Sequence, residues 1–162
     1  MNDSYYDVAQ ICKNGHVINS SAKDYPTRNQ KFCEDCGQLT IMNCPSCQSP
    51  IRGQYHVTGV IGAFDYFAPS FCHDCGKPFP WTEAALSAAK ELVAEIEGLS
   101  DDERATLGGT FSDLINDTPF TPVAETRYKK IMRKVGKESY DAMRSILTDI
   151  VSETVKKTIF GN

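Results

Sequence analysis

The chain has 162 residues, 41% of them hydrophobic and 23% charged, with a formal net charge of −4, a balance that excludes a disordered chain and lacks the basic excess common in nucleic-acid modules. That length fits one domain or two small ones, and no run of about 18 apolar residues is present to span a membrane. The opening segment MNDSYYDVAQ lacks the basic start and apolar stretch of a secretory leader, so a cytoplasmic, reducing location is expected, in which the 7 cysteines are not disulfides.

An odd cysteine count leaves one without a pairing partner, whereas metal ligation completes its set with histidine. All the cysteines and all 3 histidines lie at or before residue 75, so nothing in the second half can bind zinc through sulfur or imidazole. Charge follows the same division. Residues 1–81 hold 6 Lys/Arg and 7 Asp/Glu, residues 82–117 hold 2 and 9, and residues 118–162 hold 9 and 5, for nets of −1, −7 and +4.

An α+β fold is expected, with a domain of two tandem small zinc ribbons over 1–81 (the first at about 8–40, the second at about 41–80) followed by an α-helical domain of about four helices over 82–162. The ribbon half contains an internal repeat, FCEDCG at 32–37 and FCHDCG at 71–76, each preceded by another ligand pair, CKNGH and CPSCQ. In chain order this gives two sets, Cys12/His16/Cys33/Cys36 and Cys44/Cys47/Cys72/Cys75. Two ligands three residues apart on a tight turn can both face one ion, with thiolates about 2.3 Å and an imidazole nitrogen about 2.0–2.1 Å away. Two such turns close one tetrahedron, so two zinc ions per chain are expected. Gly37 and Gly76 follow the second cysteine of their pairs, where the turn needs a positive φ. Between the ligand pairs of the second set, IRGQYHV and AFDYFAPSF have the β-branched and aromatic content of short strands.

His16 is the expected fourth ligand of the first set, with His56 as its substitute. His73, between two cysteines that share an ion, is expected to face solvent. A thioredoxin-like redox role for Cys72-x-x-Cys75 is excluded by the GKPFP that follows, which does not let a helix begin at the cysteines. Two complete ligand sets also leave no position for a zinc-bound water, so no catalytic residue is assigned.

The helical half is expected to begin with Thr82 as N-cap and a first helix burying Ala85, Leu86, Ala89, Leu92, Val93 and Ile96 until Gly98. Ser100 and Glu103 form a capping box for a second helix with Leu107, Phe111, Leu114 and Ile115 on its apolar face. Thr121 caps a third, with Pro122 as its first residue and Tyr128, Ile131, Met132 and Val135 buried. The last helix is expected to run from about Glu138 to Phe160 with Met143, Ile146, Leu147, Ile150, Val151, Val155 and Ile159 on one stripe. A helix that long, of about 30 Å or more, overhangs a small bundle, and its exposed part is the expected contact for a homo-oligomer.

Two surfaces bear on partners. The basic cluster Arg127, Lys129, Lys130, Arg133, Lys134 and Lys137 can neutralise phosphates or lie against the acidic 82–117 segment. The second reading is preferred. The aromatics Tyr55, Phe64, Tyr66, Phe67, Phe71, Phe79 and Trp81 can stack on bases or pack the ribbon against the first helix, and again packing is preferred.

The stretches YYDVAQICKNGHVINSS, KFCEDCG, CPSCQSPIRGQYHVTGV and APSFCHDCGKPFPWTEA resemble an uncharacterised bacterial family with paired zinc ribbons and a helical tail. The resemblance covers most of the chain and implies metal binding, a bacterial source and the same eight ligands, while supplying no substrate, reaction or partner. The expected function is a zinc-binding, non-enzymatic adaptor or regulatory protein that engages a protein partner through ribbon loops and helices. The alternative is a nucleic-acid-binding regulator using the ribbon aromatics and the basic third helix.

Overall fold

The computed structural model describes residues 4–62 and 64–161, and the chain divides into two compact units between Glu83 and Ala84. The architecture is α+β, with small antiparallel sheets before residue 57 and five α-helices from residue 80 onward among the described residues.

In the N-terminal unit, β1 (Tyr5–Val8) pairs with β5 (Arg52–His56), setting Tyr5 opposite His56 and Tyr6 opposite Tyr55. A second sheet has the order β3-β2-β4, with β2 (Gln10–Cys12) between β3 (Val17–Asn19) and β4 (Thr40–Ile41). The segments 8–40 and 41–80 therefore share backbone pairing: Ala9 N–H donates to the Ile51 carbonyl at 2.8 Å, and Gln54 N–H to that of Ser20 at 2.7 Å. Gly53 permits this crossing, since a Cβ there would stand 2.2 Å from the Ser20 oxygen. One buried cluster, Ala9, Ile11, Cys44, Ile51, Cys72, Phe79 and Trp81, draws on both segments.

The long connection from β3 to β4 has little ladder pairing, and side-chain amides satisfy its backbone instead. Gln10 Nε2 donates to the Gln30 carbonyl and its Oε1 accepts the Gln30 N–H, both at 2.9 Å. Asn19 Nδ2 donates to the Tyr25 carbonyl at 2.9 Å, beside a 3-10 turn at Pro26–Arg28.

The IRGQYHV strand forms as β5, but the strand expected in AFDYFAPSF does not. Residues 64–69 carry no regular structure, and Ala63 lies outside the described residues. The Pro69 carbonyl accepts Trp81 Nε1 at 2.9 Å, and that of Ser70 accepts both Thr82 Oγ1 at 2.9 Å and the Phe79 N–H at 3.0 Å. Pro69 also lacks the N–H a ladder requires. Thr82 is consequently not the N-cap. The first helix, α1, is Pro80–Glu95, beginning at a proline whose missing N–H costs nothing in a first turn.

In the C-terminal unit the rest of α1 is followed by α2 (Asp101–Asn116), α3 (Thr121–Met132), α4 (Lys137–Thr148) and α5 (Glu153–Phe160). Along α1, Ala89 and Val93 are buried, as is Ile96 just past its end, whereas Ala85, Leu86 and Leu92 are half-buried. The capping box of α2 forms as expected, Ser100 Oγ accepting Glu103 N–H at 3.2 Å and Glu103 Oε2 accepting Ser100 N–H at 3.1 Å. Thr121 lies one residue inside α3. Its hydroxyl still serves the helix entry, accepting the Thr118 N–H at 2.8 Å and donating to the Asp113 carbonyl at 2.7 Å.

The single last helix expected over 138–160 is instead two. It stops after Thr148, and Ser152 restarts the chain as N-cap by accepting the Val155 N–H at 3.3 Å. The break lets adjacent Ile150 and Val151 both reach the interior, so Met143, Leu147, Ile150, Val151, Val155 and Ile159 are all buried. The expected overhang, the reason for anticipating a contact between copies there, does not form.

Candidate metal centres

Three turns of identical construction supply six of the eight expected ligands. In each, the N–H of the residue after the second cysteine donates to the carbonyl of the first: Gly37 to Cys33 and Gln48 to Cys44 at 2.8 Å, Gly76 to Cys72 at 2.9 Å. That residue is left-handed every time, with φ of 71°, 65° and 71°. Phe32, Asn43 and Phe71 bridge Leu39, Pro50 and Pro78 across the base of the three turns. CPSCQ is thus a third copy of the repeated turn, with glutamine where the others have glycine. The fourth turn, Cys12 to His16, is wider, and Cys12 N–H donates to the His16 carbonyl at 3.0 Å.

These turns bring together Cys12, His16, Cys33 and Cys36 in one group and Cys44, Cys47, Cys72 and Cys75 in another, the ligand atoms of each lying within 4.8 Å of one another. Sulfur separations are 3.7 Å for Cys12–Cys36, 3.8 Å for Cys44–Cys75 and 3.7 Å for Cys47–Cys72. His16 Nδ1 stands 3.5 Å from Cys33 Sγ. A tetrahedron with metal–sulfur bonds of about 2.3 Å has edges of about 3.8 Å, and one sulfur–nitrogen edge of about 3.5 Å. The observed spacings match those edges and are far beyond the roughly 2.05 Å of a disulfide. His56, the substitute ligand, is placed elsewhere, beside Asp7 and Asp24. His73 is exposed.

Each pair has an inner and an outer member. Cys12, Cys33, Cys44 and Cys72 are buried, whereas His16 and Cys75 are exposed and Cys36 and Cys47 lie between. Backbone N–H groups aim at the sulfurs. Cys36 is held below the ordinary thiol range, first by the Gln38 N–H. Cys47 is brought down to about 6 by the side chain and N–H of Ser49. Cys75 receives the Lys77 N–H, yet partial loss of hydration and the neighbouring sulfurs of Cys47, Cys44 and Cys72 push it up to about 11. Burial likewise raises Cys12, against the N–H groups of His16 and Asn14. Three or four sulfurs this close cannot all be thiolates without a positive charge among them, which a divalent ion would supply. Both groups are therefore close enough, and of the right donor chemistry, to hold metal ions.

The remaining residues singled out from sequence separate into two kinds. Phe79 and Trp81 are core, stacked at 4.7 Å between ring centroids, and Tyr66 donates to the Arg52 carbonyl at 2.6 Å. Tyr55, Phe64 and Phe67 are exposed, so packing accounts for only part of the aromatic cluster. Just past the end of α3, Lys134 contacts the Glu103 carboxylate, and on α3 itself Arg127 and Lys130 border a hollow with Asp102 and Glu103. The acidic second helix thus lies beside the basic third.

No helix among the described residues is long and apolar enough to cross a membrane. Two cysteine-rich ligand sets carried by a small antiparallel fold, followed by helices, define a protein with two candidate metal centres. The chain belongs to a family described as an uncharacterised protein conserved in bacteria (DUF2321), whose model matches residues 5–159. No curated protein and no solved structure matches it.

Proposed function

We propose that the chain is a non-enzymatic adaptor or regulatory protein in which two zinc ions hold a ribbon-like N-terminal unit that presents an apolar loop to a protein partner. Zinc is favoured by the donors, three thiolates with one imidazole and four thiolates, at tetrahedral spacing. Four ligands per ion make each a closed, structural site.

The observation that carries the partner reading is the loop between Cys47 and Cys72. Its ends are tied into the second ligand set, while Val60, Ile61, Phe64 and Phe67 are 54, 103, 61 and 75% exposed. Large apolar side chains left in water this near one another in sequence, on a stem tied to a ligand set, favour a protein interface. Affinity capture from extracts of the source bacterium tests this, comparing the natural chain with the double variant Ile61→Asp/Phe67→Asp. A partner recovered in near-stoichiometric yield by the first and lost by the second, at equal zinc content, is the expected result. Recovery of the same proteins by both would remove the proposal. The nucleic-acid alternative is weakened because Glu103 engages Lys134 within the basic face. Filter binding that falls steeply as salt rises would reinstate it.

A further inference from the structure

We infer that Asp7, Asp24 and His56 form a third cation site, for an exchangeable first-row divalent metal ion, chemically distinct from the two cysteine sites. The three residues come from separate stretches: Asp7 from β1, Asp24 from the turn after β3, and His56 from the end of β5. His56 Nε2 is 3.9 Å from Asp7 Oδ2 and 3.9 Å from Asp24 Oδ2, and the three ligand atoms all lie within 4.8 Å of one another. A separation of 3.9 Å is too long for a hydrogen bond. It falls within the span of two bonds of about 2.0–2.2 Å to a common ion.

Burial supplies an independent reason. The Asp7 side chain is 0% exposed, and the ion pairs among the described residues give it no lysine or arginine, only this histidine. A carboxylate removed from water needs a counter-charge. Hydrogen bonds orient Asp7 without neutralising it, Oδ1 accepting the N–H groups of Val8 at 2.5 Å and Lys23 at 3.0 Å, and Oδ2 that of Asp24 at 3.2 Å. An outer layer is present too. Tyr5 donates its hydroxyl to Asp24 Oδ2 at 2.5 Å and stacks on the His56 ring with centroids 5.1 Å apart, while Ser21 Oγ is 3.4 Å from Nε2. Such partners orient ligands and tune their affinity.

The donor set identifies the ion's class. Two carboxylates with one imidazole suit manganese, iron or zinc better than magnesium or calcium, which prefer oxygen alone. Three protein ligands leave coordination positions for water. The side chains of His56 and Asp24, 33% and 34% exposed, give solvent a route to it. This site is therefore open where the cysteine sites are closed.

Manganese is the appropriate probe, because its weak preference for thiolates leaves zinc in the cysteine sites undisturbed. Protein carrying two zinc ions per chain is titrated with Mn2+ and followed by the electron paramagnetic resonance of the free ion and by water-proton relaxation. One Mn2+ per chain with enhanced relaxation is expected, and Asp24→Asn and His56→Gln should each weaken it at least about tenfold. No uptake by the natural chain up to about 1 mM Mn2+, or unchanged affinity in either variant, overturns the assignment. Zinc content on the same samples reports that the fold is intact. Should His56→Gln lose zinc, the partly exposed Asp24→Asn decides alone.

Discussion

The two halves of the chain solve one problem by different means. The N-terminal unit has strands of two to five residues, and two of the seven members of its buried cluster are cysteines of the second ligand set. Its interior and its candidate metal centres are partly the same atoms. The C-terminal unit has no cysteine or histidine at all and buries aliphatic and aromatic side chains from every helix, including Leu107, Phe111, Leu114, Met143 and Leu147. A small unit with so little regular pairing needs a staple, whereas amphipathic helices stabilise each other by apolar burial. Stability in the first should therefore depend on metal and in the second on packing volume.

The largest test of that contrast is removal of metal. Structural zinc contributes on the order of 10 kcal/mol of apparent binding free energy at neutral pH, so chelation, or Cys44→Ser, should unfold the N-terminal unit. The single tryptophan, Trp81, is 6% exposed and sits in that unit's core, which makes its emission a local reporter. A red shift to the solvent-exposed value, with most of the far-ultraviolet helical signal retained, is expected. Unchanged Trp81 emission after full metal loss would show that the fold stands without its ligands.

The complementary test deletes volume from the helical core. Leu107 and Leu147 are 0% exposed, and Leu→Ala at such positions costs about 2–5 kcal/mol. Either substitution should move the helical denaturation midpoint down and leave both zinc content and Trp81 emission unaffected at the same denaturant concentration. Coincident transitions by both probes would instead mean that the units unfold together. A smaller step on the same side is Ser100→Ala, which removes the cap of α2 and with it half of the capping box. About 1 kcal/mol is the expected loss, read as a shift of the helical transition alone.

What the sequence disclosed follows the same division of physics. Ligand pairs, the glycines after Cys36 and Cys75, and the Ser100/Glu103 box are local signals, and each appears in the structure within a few residues of where it is written. Long-range pairing was hidden. Nothing in YYDV or RGQYH says that β1 and β5 are partners, and the meeting of His56 with Asp7 and Asp24 depends on that pairing. The 64–69 segment has strand composition but gives its neighbouring carbonyls to Trp81 and Thr82, which propensity cannot foresee. At 149–152 the apolar spacing runs on through the break, and only Ser152, a good N-cap beside an acidic first turn, marked the restart.

Gln48 gives the smallest and sharpest comparison, because it sets two copies of one turn against a third. Gly37 and Gly76 hold φ of 71° and Gln48 holds 65° in the same place. A residue with a Cβ pays about 1–2 kcal/mol in that conformation, while glycine loses about 0.5–1 kcal/mol of extra chain entropy on being fixed. Gln48→Gly should therefore stabilise the metal-loaded N-terminal unit by a net of about 0.5 kcal/mol. Gly37→Ala and Gly76→Ala, which add a Cβ with nothing within 4 Å to strike, should weaken it through conformation alone. The measurement is the Trp81 transition of the three variants under identical metal loading. A Gln48→Gly chain less stable than the natural one would mean that the glutamine side chain, whose Nε2 reaches the Pro45 carbonyl at 3.3 Å, contributes more to closing the turn than its backbone strain removes.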